Sequence, residues 1–117
     1  MKRDWDCIRA ILAALEEKGD AESLVHPQAI TAFDAETVAY QMKLMIEAGL
    51  IEGKFLKGRA LQCVAQSMTW EGHELLDKIR SEKLWNRIKT MAREQGITLS
   101  FQAVKILGTH ALEHLIS

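Results

Sequence analysis

The chain has 117 residues, with 15 Lys+Arg against 16 Asp+Glu, 48% hydrophobic residues, seven glycines and one proline. A chain of this length buries roughly two-thirds of its unfolded surface, enough for one core without metals or disulfides and too little for two independent ones, and its apolar content excludes extensive disorder. A formal net charge of −1 excludes strong sequence-blind attachment to nucleic acid, so any such contact must be local.

Trp5, Ile8, Leu12 and Leu15 recur at helical spacing, with Asp4 as N-cap and Gly19 just past the end, which predicts a first helix. The pattern is lost from Asp20 to Phe33. This stretch contains the single proline, Pro27, and has mild β character at 29–33, so it reads as a loop ending in a short strand. Asp34 caps a second helix with Glu36 in its first turn; Val38, Met42 and Met45 point inward, and Gly49 closes the helix with a left-handed residue. Residues 50–57 and 60–66 alternate about Gly58-Arg59, which predicts a β-hairpin with a mirror-image two-residue turn. Thr69 caps a third helix to about Arg80, with Leu75, Leu76 and Ile79 on its apolar side. Ser81 caps a fourth, burying Leu84, Trp85, Ile88 and Met91 and ending at Gly96. Ser100 caps the last, in which Phe101, Val104, Leu107, Ala111, Leu112 and Leu115 recur near period 3.6.

The order helix, irregular segment, helix, hairpin, helix is the winged-helix arrangement. The expected fold is therefore α+β and mainly α: a winged helix-turn-helix-like domain over residues 1–80 with a β-hairpin wing, and a C-terminal helical extension over 81–117 that packs on it or mediates dimerisation. The run Val38 to Ile51, ending in Ala48-Gly49-Leu50-Ile51, resembles the recognition helix and following strand of bacterial winged-helix regulators. Met68-Thr69-Trp70-Glu71-Gly72 resembles the Leu-Thr-x-x-Gly step that leaves the wing. Read together, Met1-Lys2-Arg3-Asp4 with Asp6, Ile8-Arg9 and Ile11-Leu12, then Ile46 to Ile51, then Thr69-Trp70-Glu71-Gly72-His73-Glu74-Leu75-Leu76-Asp77-Lys78-Ile79-Arg80, resemble an uncharacterised bacterial family, a domain of unknown function frequent in phages and prophages. The resemblance covers nearly the whole chain. It implies a small cytoplasmic protein of mobile-element origin and assigns no functional residues.

If the second helix faces outward with Glu36, Thr37, Tyr40, Gln41 and Leu44, Gln41 can pair bidentately with an adenine edge and Thr37 can meet a base or a phosphate. Against this, three acids (Asp34, Glu36, Glu47) outnumber one base (Lys43) between Asp34 and Ala48, so a solvated or partner-facing helix stays open. The wing offers Lys54, Lys57 and Arg59 with no acid among them, suited to a phosphate backbone or a minor groove; charged tips also keep hairpin edges soluble. Thr37, Tyr40, Gln41, Lys43, Lys54, Lys57 and Arg59 are thus the candidate nucleic-acid contacts.

The fourth helix mixes Lys83, Arg87, Lys89 and Arg93 with Glu82 and Glu94, a solvated face. His110-Ala111-Leu112-Glu113-His114 formally matches the H-x-x-E-H string of inverted zinc peptidases, but no third ligand follows His114, and two exposed histidines are the simpler reading. His73 and His26 fall in no recognisable triad, and Cys7 reads as packing. No Gly-rich phosphate loop exists, because Gly53 and Gly58 lack a following helix. Neither cofactor nor metal is expected, and no enzyme activity. Trp5, Trp70 and Trp85 read as core or inter-helix packing. Cys7 and Cys63 belong to no C-x-x-C pair, which fits a reducing compartment. The longest apolar run near the N-terminus, residues 10–15, is too short for a signal peptide or a span, so the chain reads as cytoplasmic. The expected partners are double-stranded DNA or a host or phage protein, with a homodimer through the last helix and no membrane. The leading expectation is a DNA-binding or transcription-regulatory protein acting by occupancy; the alternative is a protein-interaction module.

Overall fold

In the computed structural model, which describes residues 1–116 and the side chains of residues 1–113, each helix begins where a short polar side chain can satisfy its orphan N–H groups. Helix α1 (Trp5–Glu17) starts at Asp4, whose carboxylate accepts from the Cys7 backbone N–H at 3.1 Å, and it buries Trp5, Cys7, Ile8, Ile11, Leu12 and Leu15. Helix α2 (Ala35–Glu47) starts at Asp34, which accepts from the Thr37 N–H at 3.0 Å, and ends before Gly49 at φ 76°. Only glycine takes that left-handed conformation without steric cost. The Leu50 N–H returns to the Met45 carbonyl at 2.9 Å, which turns the chain from the helix into the sheet.

Strands β1 (Ile51–Leu56) and β2 (Gln62–Met68) form an antiparallel hairpin. The pairing of Leu56 with Gln62 leaves five connecting residues, 57–61, instead of the expected two. Gly58 is not among the left-handed glycines, which are Gly49 and Gly96. The mirror-image turn, which needs positive φ, is therefore replaced by a longer open tip. A register shift after Glu52 makes Gln66 an extra residue on β2. The Lys18 ammonium donates to the carbonyls of Gln66 and Ser23 and so ties the end of α1 to this bulge.

Between α1 and α2 the expected strand at 29–33 is absent. Strand-like pairing occurs earlier: Val25 donates to the Ala65 carbonyl at 2.7 Å and accepts from its N–H at 3.0 Å. Pro27–Ala29 then form a single 3-10 turn. Proline lacks an N–H and has a fixed φ, so it suits the first turn of a helix and breaks a ladder. The second helix of a full helix-turn-helix is thus reduced to one turn. Helix α2 packs on α1, β1 and β2, and Val38, Met42, Met45, Leu50, Ile51, Cys63 and Ala65 join the α1 residues in the core.

Helix α3 (Trp70–Ile79) begins at Thr69, whose hydroxyl donates to the Gly49 carbonyl at 2.6 Å and accepts from the Gly72 N–H at 3.2 Å. The Thr-x-x-Gly spacing has a steric reason: a Cβ at Gly72 would lie 2.1 Å from the Leu50 carbonyl oxygen. Helix α4 (Glu82–Gln95) is capped by Ser81 and ends at Gly96 with φ 65°, and α5 (Phe101–Ile116) opens with Ser100 accepting from Ala103 at 3.0 Å. The chain divides into two units, residues 1–73 and 74 onward, with the division inside α3. In the second unit Leu75, Leu76, Ile79, Leu84, Trp85, Ile88, Ala92, Val104, Leu107 and Ala111 are buried. Met91 is only half-buried and Leu112 is exposed, so the apolar stripes of α4 and α5 are narrower than their sequence periodicity. The fold is α+β and mainly helical, with the helix, hairpin and helix order of a winged helix.

Candidate nucleic-acid interface

The polar residues of α2 are largely engaged within the fold. Gln41, expected to reach outward, is fully buried. Its spacing from Val38, Met42 and Met45 puts it on their stripe, and a carboxamide there needs partners. It finds them in the N-terminal segment: its oxygen accepts from the Asp4 N–H at 2.8 Å and its amide donates to the Lys2 carbonyl at 2.9 Å. Gln41 therefore straps residues 2–4 to the flank of α2 and is closed to a base edge.

Thr37 is half-buried and serves the cap, its hydroxyl donating to the second Asp34 oxygen at 2.8 Å. These Thr37 bonds, the backbone N–H first, hold the Asp34 carboxyl below its usual value. Lys43 pairs with Glu47 at 3.1 Å and lies 5.5 Å over the Phe55 ring, so its charge is spent locally. Tyr40 is half-exposed on the outward face, between the exposed carboxylates of Glu36 and Glu47.

The wing differs. Lys54, Lys57 and Arg59 are all exposed, and none of their side chains makes a hydrogen bond or ion pair among the described residues. No acid occurs from Gly53 to Trp70. Gly53 itself is required by a close approach, since a Cβ would lie 2.2 Å from the Val64 carbonyl oxygen. Beyond Glu52, which accepts from the Ser67 hydroxyl at the base of β1, the ribbon thus presents three unpaired cations, while α2 presents a mixed, net acidic face.

Burial, then the nearby Asp4 and Asp34 carboxylates, pushes the Cys7 thiol up to about 12, and burial pushes Cys63 to about 11. Both thiols are protonated and inert at neutral pH. His110 and Glu113 are exposed on α5, and the His114 side chain lies outside the described residues. Trp5 and Trp85 are buried as expected, but Trp70 is 77% exposed. It occupies the first turn of α3, where Gly72 and not the indole seats the helix on Leu50. Sequence reasoning also missed the Lys18 clamp and the Val25–Ala65 bridge; Gln41 alone carried a usable signal, its place on the apolar stripe. No helix is long and apolar enough to cross a membrane among the described residues.

Comparison with known proteins gives a family and assigns no activity. The family described as "Hypothetical protein (DUF2513)" matches residues 2–98. An "Uncharacterized protein" of Haemophilus influenzae strain Rd is 40% identical over 118 residues, covering all of both chains. No solved structure matches. With most of its length inside the family match and a relative similar from end to end, the chain belongs to the DUF2513 family.

Proposed function

We propose that this protein is a DNA-binding, regulatory winged-helix protein that works by occupancy in the cytoplasm, and that the wing holds the duplex. The observation that carries this reading is the acid-free stretch from Gly53 to Trp70 with the Lys54, Lys57 and Arg59 side chains exposed and unpaired among the described residues, Glu52 at the base of β1 being the one acid of the hairpin. Such cations neutralise phosphates and release counterions, and backbone contacts of this kind position a protein without reading bases. Tyr40 and Thr37 flank the contact, and Gln41 supports it only by fixing the N-terminal segment. The experiment is fluorescence anisotropy of a labelled duplex over a salt series. Three wing phosphate contacts predict a loss of about 40-fold in affinity between about 50 and 200 mM salt. Absence of binding at low salt contradicts the reading.

A second reading, docking of a partner protein on α2, is favoured by one feature: Glu36 and Glu47 surround Tyr40 on the outward face while Lys43 is already paired. Self-association through α5 is supported by exposed Ile106 and Leu112. Light scattering should then give twice the 13.2 kDa chain mass; a monomer at micromolar concentration contradicts it.

A further inference from the structure

Beside β2 the first unit has an open cleft of about 700 Å³, and its lining includes His26, Glu36, Ala39, Arg59, Leu61 and Cys63. Its position follows from the ladder. Ala65 spends both backbone groups on Val25, on the side away from β1. Alternation along β2 points the N–H and C=O of Cys63 to that same side, and the Leu61 carbonyl with them because it shares a peptide plane with the Gln62 N–H, while Val64 and Gln62 turn toward β1. Extending the antiparallel Val25–Ala65 register would place Pro27 opposite Cys63. Pro27 has no N–H to give and begins the 3-10 turn, so the chain's own third strand stops after one rung. The edge it leaves uncovered borders the cleft.

We propose that this cleft takes an extended peptide segment of a partner protein, which adds to β2 as the strand that Val25 only begins. A row of backbone donors and acceptors is satisfied by another extended chain, and such pairing supplies affinity while pockets beside it supply selectivity. Ala39 and Cys63 are buried residues of the lining, so a small apolar side chain fits there. Arg59 is exposed at the wing end and calls for an acidic residue; Glu36 beside the start of α2 rejects a second one. The reading shares Arg59 with the duplex-binding proposal but rests on the uncovered edge at Cys63, so amide exchange at Cys63 tests it whether or not the wing holds a duplex.

The test uses the full ¹⁵N-labelled chain. In the free protein the Cys63 amide should exchange with solvent faster than those of Gln62 and Val64, by at least about tenfold. Equal protection of all three overturns the proposal, because the edge would then be closed. A short capped peptide alternating valine with threonine and carrying one glutamate is the probe. It should slow exchange at Cys63, and the same peptide with proline at its centre should not. Arg59→Glu, at an exposed position that leaves the core intact, should weaken the glutamate peptide by about threefold or more and favour a lysine analogue. No response at millimolar peptide, a response away from Cys63, or equal binding of the proline peptide overturns it.

Discussion

Helix α2 and the wing carry similar polar residues and use them in opposite ways. On α2, Gln41 holds the N-terminal segment, Thr37 completes a cap and Lys43 answers Glu47. On the wing, the side chains of Lys54, Lys57 and Arg59 answer nothing among the described residues. A polar side chain on the helix most often associated with recognition is therefore no measure of recognition. What matters is whether its hydrogen-bonding and charge are already committed to the fold.

The sharpest way to break this contrast is to remove a committed group. Gln41→Ala leaves the Asp4 N–H and Lys2 carbonyl without partners and opens a cavity, so urea denaturation should show a loss of about 2–4 kcal/mol. A change within about 0.5 kcal/mol, as expected of an exposed site, would mean the strap is incidental. Gly72→Ala tests the seat of α3: the added methyl meets the Leu50 carbonyl oxygen and should cost about 1–3 kcal/mol, whereas Gly58→Ala at the open wing tip should be near neutral. Lys43→Ala removes a partly exposed i,i+4 pair and should cost no more than about 0.5 kcal/mol.

The smallest effect concerns pH. Asp34 has a depressed folded pKa, so its contribution is present above the free-carboxyl value of 3.8 and is lost as pH falls through the lower folded value. Asp34→Asn should flatten the acid limb of the stability curve, and an unchanged limb would show that the cap does not respond to charge. At alkaline pH the signs reverse. Cys7 and Cys63 have raised values, so stability declines as pH climbs past the free-thiol value of 9.0 toward about 11 and about 12. Neither thiol should react with a disulfide reagent at neutral pH until the protein unfolds.

Much of this architecture was legible because it is local. Asp4, Asp34, Thr69, Ser81 and Ser100 announce helix starts by bonds that span three residues, and Gly49 and Gly96 announce ends through left-handed backbone. The errors arose from long-range contacts. The Val25–Ala65 bridge joins residues forty positions apart without periodic signal, and the bulge at Gln66 and the five-residue tip depend on pairing across the hairpin. Gln41 was misplaced by its chemistry, although its helical spacing already set it among Val38, Met42 and Met45. The wing candidates stayed exposed because a hairpin tip offers few internal partners.

The central claim is that the wing, not the outward face of α2, carries the electrostatic contact with DNA. The most direct measurement compares salt dependence of duplex binding for two variants of similar stability. Replacing Lys54, Lys57 and Arg59 together by alanine should reduce the slope of log affinity against log salt by about 2.7, while Tyr40→Phe should leave it unchanged. An unchanged slope in the wing variant, with binding lost instead in Tyr40→Phe, would contradict the account.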